Sequence, residues 1–170
     1  MAPEEITESP TVAAQLVATL QVRGQTVATA ESLTGGLVAG AITAAAGASA
    51  VYVGGVVTYA THAKEELLAV PPEVIAGPGV VSAACAEAMA GGVRRLLGTT
   101  FGVATTGVAG PDEQEGKPVG TVFVGLAGPA GVTSYALHLE GDRVRIREAT
   151  VEAALALLLE HVPREEPRLG

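Results

Sequence analysis

The sequence predicts a single three-layer α/β/α domain with a mixed sheet. Its 170 residues are enough for one globular domain and too few for two comfortable ones. Hydrophobic residues make up 48% of the chain and charged residues 16%, so ample apolar surface is available for a core. Helical patterns alternate with the early strand patterns and a hairpin pattern comes late, which indicates helices on both faces of a mixed sheet.

The first half of the chain alternates helix and strand patterns. Ser9 and Pro10 are typical of a helix cap and a first helical position, and apolar residues then recur on one helical face up to Gly24. Gly54 and Gly55 mark a place in the second strand where another group is expected to approach closely. The predicted elements after the first helix are a strand at 25–30, a helix at 34–45, a Val-rich strand at 51–59 and a short helix at 63–68.

Turn residues separate the elements of the second half. Proline and glycine punctuate residues 71–79, after which Ser82 is expected to cap a helix that Gly98 ends. The predicted elements that follow are a strand at 101–105, an antiparallel pair at 119–127 and 132–139, and a helix at 143–161. We expect residues 10–162 to form the domain, with a flexible N-terminus at 1–9 and a frayed tail at 163–170.

The composition argues against several classes of partner. A formal net charge of −8 does not suit a protein that grips nucleic acid or anionic lipid over a wide surface. The uncharged stretch 32–63 is long enough to span a bilayer, but Thr, Ser and Gly interrupt it throughout. The N-terminus lacks the pattern of a signal peptide. We therefore expect a cytoplasmic protein without nucleic-acid or membrane partners, whose Ala- and Gly-rich surfaces are compatible with a homo-oligomer.

Cysteine and histidine offer little chemistry. The lone Cys85 lies in an Ala-rich helical pattern and is expected to be a small buried residue rather than a nucleophile. His62, His138 and His161 are scattered, with no second ligand at metal-binding spacing. We therefore expect no metal site.

The segment 29–36, Thr-Ala-Glu-Ser-Leu-Thr-Gly-Gly, lies between the first strand and the next helix, where ligands usually bind in α/β sheets. The backbone N–H groups of such a turn can hold a phosphate or a developing oxyanion, and Ser32 is well placed there as a nucleophile. Alternatively, Ser32 or Thr34 caps the helix while Gly35 and Gly36 allow tight packing. Spacing alone favours this structural role.

Lys64 is the candidate base, and it is one of only two lysines beside eight arginines. Lysine can become a base, whereas arginine keeps its proton. To accept the serine proton near neutrality, its pKa must fall by several units from about 10.4, and Val57 and Tyr59 are expected to supply apolar surroundings. The alternative is a solvated Lys64 that faces Glu65 and Glu66, and the residues alone favour it.

Two later segments are further candidates. The glycine-rich segment 105–111 follows a strand, and it is either a plain turn or a source of oxyanion donors and pocket walls. The acidic residues 112–115 are expected to form a solvated loop. Arg143 opens the final helix, where it is expected to pair with a phosphate or with a surface carboxylate.

Five ordered blocks together resemble the carboxy-terminal domain of the competence-damage-inducible protein CinA, the nicotinamide-mononucleotide amidohydrolase family. The blocks are A-E-S-L-T-G-G at 30–36, G-G-V-V-T-Y-A-T-H-A-K at 54–64, T-G-V-A-G-P at 106–111, K-P-V-G-T-V at 117–122 and G-D-R at 141–143. The resemblance covers residues 10–162. It implies hydrolysis of the carboxamide of nicotinamide mononucleotide to nicotinic acid mononucleotide and ammonia, in pyridine-nucleotide salvage, without a metal or cofactor.

The resemblance also implies roles for individual residues. Ser32 matches the nucleophile and Lys64 the base, and Tyr59 and Thr106 match assisting hydroxyl groups. The implied substrate-binding residues are Glu31, Thr34, Gly35, Gly36, Gly107, Gly110 and Arg143, the last for the phosphate. Lys117 matches a family position to which no role is assigned.

The chain departs from the family in two places and in its length. Thr61 stands where the family usually has asparagine, and the loop 112–116 is shorter and more acidic than the common glycine-rich version. Full-length members carry a larger amino-terminal domain, so we expect either a stand-alone deamidase or one domain of a longer protein.

Two other functions are open at this point. The first is a module that binds a pyridine nucleotide for regulation without turning it over. The second is an interaction subunit in DNA uptake or damage response, which the acidic balance and the scarcity of aromatic residues do not favour. Ser32 and Lys64 favour the enzyme, because binding alone needs neither residue at its position.

Overall fold

The structure of the protein is a computed structural model that describes residues 9–163. Of the expected N-terminus and tail, residues 1–8 and 164–170 lie outside the described residues. The elements are α1 (Val12–Arg23), β1 (Val27–Glu31), α2 (Leu37–Thr43), β2 (Tyr52–Val57), α3 (Thr61–Leu68), α4 (Pro72–Ala76), α5 (Ala83–Leu97), β3 (Phe101–Gly107), β4 (Thr121–Gly128), β5 (Gly131–His138) and α6 (Arg143–His161). A single turn of 3₁₀ helix, Ala48–Ala50, precedes β2.

The five strands form one mixed sheet in the order β2-β1-β3-β4-β5. The central strand β1 runs parallel to both β2 and β3. Strand β4 is antiparallel to β3 and to β5, so the predicted late hairpin is confirmed. Because the three parallel strands end at the same edge, the segments that follow them come close together there.

Helices cover both faces of the sheet. Helices α1, α2 and α6 pack on one face, where Leu16, Ile42 and Leu158 are fully buried. Helices α3 and α5 cover the other face, around Leu68 and Met89. The predicted three-layer α/β/α class is therefore confirmed, and Cys85 is a buried residue of the second layer, as expected.

The structure corrects the predicted start of two helices. Thr11 rather than Ser9 caps α1, because its hydroxyl accepts a hydrogen bond from the Ala14 N–H at 3.2 Å. The helix predicted at 34–45 begins only at residue 37. Gly35 and Gly36 have φ angles of 57° and 105°, in the left-handed region, so they form a turn instead of the first helical residues.

Helix α5 lies directly against the backbone of the sheet. A Cβ at Gly102 would collide with the Ala90 carbonyl, and a Cβ at Gly125 would collide with the Ala86 carbonyl. Small residues on both surfaces therefore let the helix approach more closely than ordinary side chains allow. This contact fixes the position of α5 relative to the ends of β1 and β3.

We expect Gly125→Ala to lower the free energy of unfolding by about 1–3 kcal/mol, the usual cost of forcing an extra carbon into a close-packed core. Gly40→Ala is the matched control, because Gly40 is helical and its Cβ would meet nothing within 4 Å. Alanine there is expected to add about 0.5–1 kcal/mol. Urea unfolding of both variants measures the difference, and equal stability would show that α5 has room to move.

Candidate active site

A cavity of about 370 Å³ opens at the edge of the sheet where the parallel strands end. Ser32 follows β1, Tyr59 follows β2, and Thr106 lies near the end of β3. The residues that line the cavity are Ser32, Leu33, Tyr59, Thr61, Lys64, Val80, Val81, Thr106, Gly107, Val108, Ala109, Gly110, Pro111, Asp112, Glu113, Gln114 and Arg143. The volume falls within the range of about 300–1,000 Å³ that is typical of small-molecule sites.

Lys64 and Ser32 are in contact inside this cavity. The Lys64 Nζ lies 3.0 Å from the Ser32 Oγ, and it also donates to the carbonyl oxygens of Thr58 at 2.5 Å and Tyr59 at 3.5 Å. Lys64 is only 1% exposed. The alternative of a solvated lysine facing Glu65 and Glu66 is therefore wrong.

Helix α3 buries Lys64 because of the face on which the residue lies. Lys64 and Leu68 are four residues apart, are the buried residues of α3, and share the face that packs against α5. Val57 and Tyr59, which were expected to supply apolar surroundings, are 48% and 60% exposed, and Tyr59 contacts the amine through its backbone carbonyl. The elements that bury the amine are distant in sequence.

The electrostatic surroundings of Lys64 favour its neutral form. Burial lowers its pKa from the ordinary value of 10.5, while the charges of Cys85 and Glu115 act in the opposite direction. Burial also raises the pKa of the Cys85 thiol to about 11, so this thiol is neutral near pH 7. An amine that loses its proton more readily is suited to act as a general base.

The turn after β1 holds Ser32 in place through a buried carboxylate. Glu31 is 1% exposed and accepts hydrogen bonds from the Thr34 hydroxyl at 2.6 Å and from the Val38 and Ala39 N–H groups at 2.8 and 3.1 Å. The Thr34 hydroxyl also lies 2.7 Å from that of Thr105. These contacts tie the turn to the start of α2 and to β3.

Four predicted substrate-binding residues lie outside the cavity lining: Glu31, Thr34, Gly35 and Gly36. The first two make the contacts of the turn itself, and the two glycines shape it through their left-handed backbone. The structure therefore places these four residues in the turn that carries Ser32, where they support its conformation.

Arg147 is a supporting residue that the sequence analysis missed. Its Nε donates to the Leu33 carbonyl at 2.9 Å, and one terminal nitrogen donates to the Thr34 carbonyl at 3.2 Å. The sequence feature that could have indicated this role is the position of Arg147 four residues after Arg143, which places both guanidinium groups on one side of α6. Helix α6 thus directly contacts the turn that carries Ser32.

The mouth of the cavity brings together residues from three segments. Arg143 donates to the Gly110 carbonyl at 2.7 Å and to the Tyr59 hydroxyl oxygen at 3.0 Å. Thr106 lies deeper, where its hydroxyl donates to the Val80 carbonyl at 2.6 Å. The predicted residues that the structure gathers around the cavity are Ser32, Tyr59, Lys64, Thr106, Gly107, Gly110 and Arg143.

The acidic residues 112–115 are exposed, as predicted for a solvated loop, and the loop also forms part of the cavity. Asp112, Glu113 and Gln114 line the cavity. The Glu115 carboxylate accepts hydrogen bonds from backbone N–H groups of the opposite wall. Lys117 binds carbonyl oxygens of the same wall, which is a contact that the sequence did not reveal.

Within residues 9–163, His, Cys, Asp and Glu form no group of three or more that could hold a metal ion. The helices of this same range are each too short or too polar to cross a bilayer.

The fold and the site together define an α/β domain with a buried lysine beside a partly exposed serine, in a cavity at the carboxyl edge of its parallel strands. Residues 9–162 match the family described as the CinA C-terminal domain, and the chain belongs to this family.

Curated relatives and solved structures agree with this assignment. The chain is 54% identical over 136 residues to a CinA-like protein of Frankia casuarinae, covering 80% of this chain and 31% of that protein. It is 49% identical over 144 residues to a CinA-like protein of Anaeromyxobacter dehalogenans, covering 84% and 35%. The chain thus spans about a third of the length of these relatives.

The same fold is found in a crystal structure of the competence damage-inducible protein A of Klebsiella pneumoniae. The TM-score is 0.88 at 35% sequence identity, with 91% of this chain and 97% of that chain covered. A CinA superfamily protein of Escherichia coli gives a TM-score of 0.87 at 31% identity, with 89% and 88% covered.

Proposed function

We propose that this domain is an amidohydrolase that converts nicotinamide mononucleotide into nicotinic acid mononucleotide and ammonia. The observation that carries the proposal is the buried Lys64 amine 3.0 Å from the Ser32 hydroxyl, inside a cavity of small-molecule size. The substrate is the one that the family resemblance implies. A binding module alone has no need for a desolvated amine beside a hydroxyl.

The contacts of Lys64 suit a general base. A neutral amine has two N–H donors and one lone pair. The carbonyl oxygens of Thr58 and Tyr59 accept from the two donors, which leaves the lone pair for the Ser32 hydroxyl hydrogen. The backbone of this segment therefore orients the amine toward the nucleophile.

The proposed reaction proceeds through an acyl-enzyme. Lys64 takes the proton of Ser32 while the Ser32 Oγ attacks the carboxamide carbon. Backbone N–H groups stabilise the resulting tetrahedral oxyanion. We assign the N–H of Leu33 as one such donor, because Leu33 lines the cavity and directly follows Ser32. Lys64 then gives its proton to the departing nitrogen, and ammonia leaves. Water, activated by the same amine, releases the carboxylate product from Ser32.

Arg143 and Tyr59 are the proposed contacts for the rest of the substrate. Arg143 is exposed at the mouth of the cavity, where its guanidinium group can pair with the phosphate. Because the Tyr59 oxygen accepts a hydrogen bond from Arg143, its own hydroxyl hydrogen stays free to bind substrate.

An ammonia-release assay tests the proposal with three compounds: nicotinamide mononucleotide, free nicotinamide and the full dinucleotide. We expect release from the mononucleotide, with lower kcat/KM for nicotinamide, which lacks the phosphate that Arg143 would bind. Binding of the mononucleotide without any ammonia would instead support the regulatory binding module.

The pH profile is expected to report the state of Lys64. Only the neutral amine can accept the serine proton, so kcat/KM should fall as the pH drops through the pKa of Lys64. Because burial lowers this pKa, the acidic limb should lie below 10.5, the ordinary pKa of lysine. The kcat/KM of ammonia release measured across pH checks this, and a limb at or above the ordinary lysine value would contradict the proposed base.

A further inference from the structure

The segment 78–82 forms one wall of the cavity. Val80 and Val81 line it, and the Val80 carbonyl accepts the hydrogen bond of Thr106. Ser82, the next residue, caps α5 by accepting from the Cys85 N–H at 3.1 Å. The wall is therefore continuous with the helix that packs against Lys64.

Glu115 and Lys117 together bind the backbone of this wall. The two carboxylate oxygens of Glu115 accept from the N–H groups of Val80 and Val81, each at 3.0 Å. The Lys117 ammonium donates to the carbonyl oxygens of Pro78, at 3.2 Å, and Val81. We name this arrangement, Glu115 and Lys117 on residues 78–81, the wall clamp.

The backbone conformation of Gly79, and its lack of a side chain, leave room for the Glu115 carboxylate. Its φ of 91° lies in the left-handed region, and a Cβ there would collide with the Glu115 carboxylate. Glu115 itself has a φ of 52°, which is uncommon for a residue other than glycine. Both segments thus adopt special backbone conformations at the point where they meet.

We infer that Glu115 and Lys117 are positioning residues for the Ser32–Lys64 pair, holding the wall beside Lys64, and that Glu115 supplies the negative charge that acts on the amine. Neither residue lines the cavity, so each acts through the wall or through its field. The catalytic part of this inference rests on the proposed amidohydrolase function.

The charges around Lys64 support the role of Glu115. Burial lowers the pKa of Lys64, and Cys85 and Glu115 are the groups that oppose this. Since the Cys85 thiol has a pKa of about 11, it carries no charge near neutrality, which leaves the Glu115 carboxylate as the opposing charge. The Lys117 ammonium lies 3.7 Å from this carboxylate, so it partly offsets the charge. The other titratable groups that line the cavity are Tyr59, Asp112, Glu113 and Arg143.

The chain allows a direct measurement, because Lys64 and Lys117 are its only lysines. Labelling lysine Cε with ¹³C gives two NMR signals, and Lys117→Gln assigns them. We expect Glu115→Gln to move the titration midpoint of Lys64 to lower pH. Glutamine offers one carbonyl acceptor in place of two carboxylate oxygens, so the Val80 and Val81 N–H groups should also exchange faster with solvent.

Glu73→Gln is the matched control, since it removes the same charge from an exposed site on α4. We expect it to leave the Lys64 midpoint unchanged. Glu115→Asp keeps the charge on a shorter side chain, and it should speed amide exchange at the wall with a smaller shift of the midpoint. An unchanged midpoint in Glu115→Gln, or unchanged exchange at Val80 and Val81, would overturn the inference.

An activity measurement completes the test. A displacement of about 1 Å near the reacting groups costs on the order of a hundredfold. On the plateau above the pKa of Lys64, where the shift of this pKa does not contribute, Glu115→Gln should therefore lower kcat/KM by about tenfold to a hundredfold. Its acidic limb should also shift to lower pH. If the unmodified protein releases no ammonia, the proposed function fails, whereas the NMR titration and amide exchange still decide whether the wall clamp acts on Lys64.

Discussion

Ser32→Ala is expected to lower kcat for ammonia release by at least about 10⁴-fold, because loss of the serine nucleophile in a serine hydrolase costs on the order of 10⁶ in kcat. The substitution removes the Oγ that lies 3.0 Å from the Lys64 Nζ and leaves the carboxamide without an attacking group. Ser32 is partly exposed in the cavity, so the fold should survive. The assay follows ammonia release at saturating nicotinamide mononucleotide, and calorimetry checks that the variant still binds this substrate.

The matched control is Ser134→Ala. Ser134 lies on β5, and its hydroxyl is 2.7 Å from a carboxylate oxygen of Glu87, outside the cavity lining. This variant should keep ammonia release at the level of the unmodified protein. Activity of Ser32→Ala within tenfold of that level would exclude Ser32 as the nucleophile.

Removal of the Lys64 amine is the second change with a large expected effect. Lys64→Met fills the same space without an ionisable group, and it should lower kcat/KM by about 10²–10⁴-fold, the usual contribution of a general base. Lys64→Arg should be equally inactive, because a guanidinium group does not give up its proton. Nearly full activity of the arginine variant would mean that another group takes the proton of Ser32.

The stability of the protein offers an independent check on Lys64. Its pKa is lower in the folded protein than in the unfolded chain, so the unfolded chain binds the proton more tightly. The free energy of unfolding should therefore rise as the pH increases from the pKa of Lys64 in the folded protein to 10.5, its ordinary value. Below this range Lys64 is protonated in both states, so the folded protein bears the full cost of burying a charged amine. Lys64→Met should lack this rise in urea unfolding across pH, and an equal rise in both proteins would assign it to other groups.

The order of the elements other than α4 was predictable because most of them have a strong local signal. The final helix was predicted at 143–161 and occupies these residues, since Asp142 caps it and its apolar pattern is long. Helix α5 likewise starts after Ser82 and ends at Gly98 as predicted. Two local features were nevertheless missed: the cap at Thr11, whose hydrogen bond from the Ala14 N–H is itself local, and the short helix α4, which the sequence did not indicate.

The residues of the candidate site could be predicted from the sequence, but the distant residues that bury and position them could not. Ser32 and Lys64 were singled out by residue type and by a family resemblance, yet the residues alone favoured a solvated lysine. Its burial depends on α5, more than fifteen residues further along the chain. Glu115 reaches amides 34 and 35 residues away, and no local pattern reveals such a contact.

Helix α6, the last element among the described residues, contacts both the mouth of the cavity and the turn that carries Ser32 through Arg143 and Arg147. A nascent chain on the ribosome that has already made Ser32 and Lys64 still lacks these two guanidinium groups. Under the proposed function, the site is therefore incomplete until α6 has been synthesised. A translation fragment that stops before α6 should accordingly lack activity.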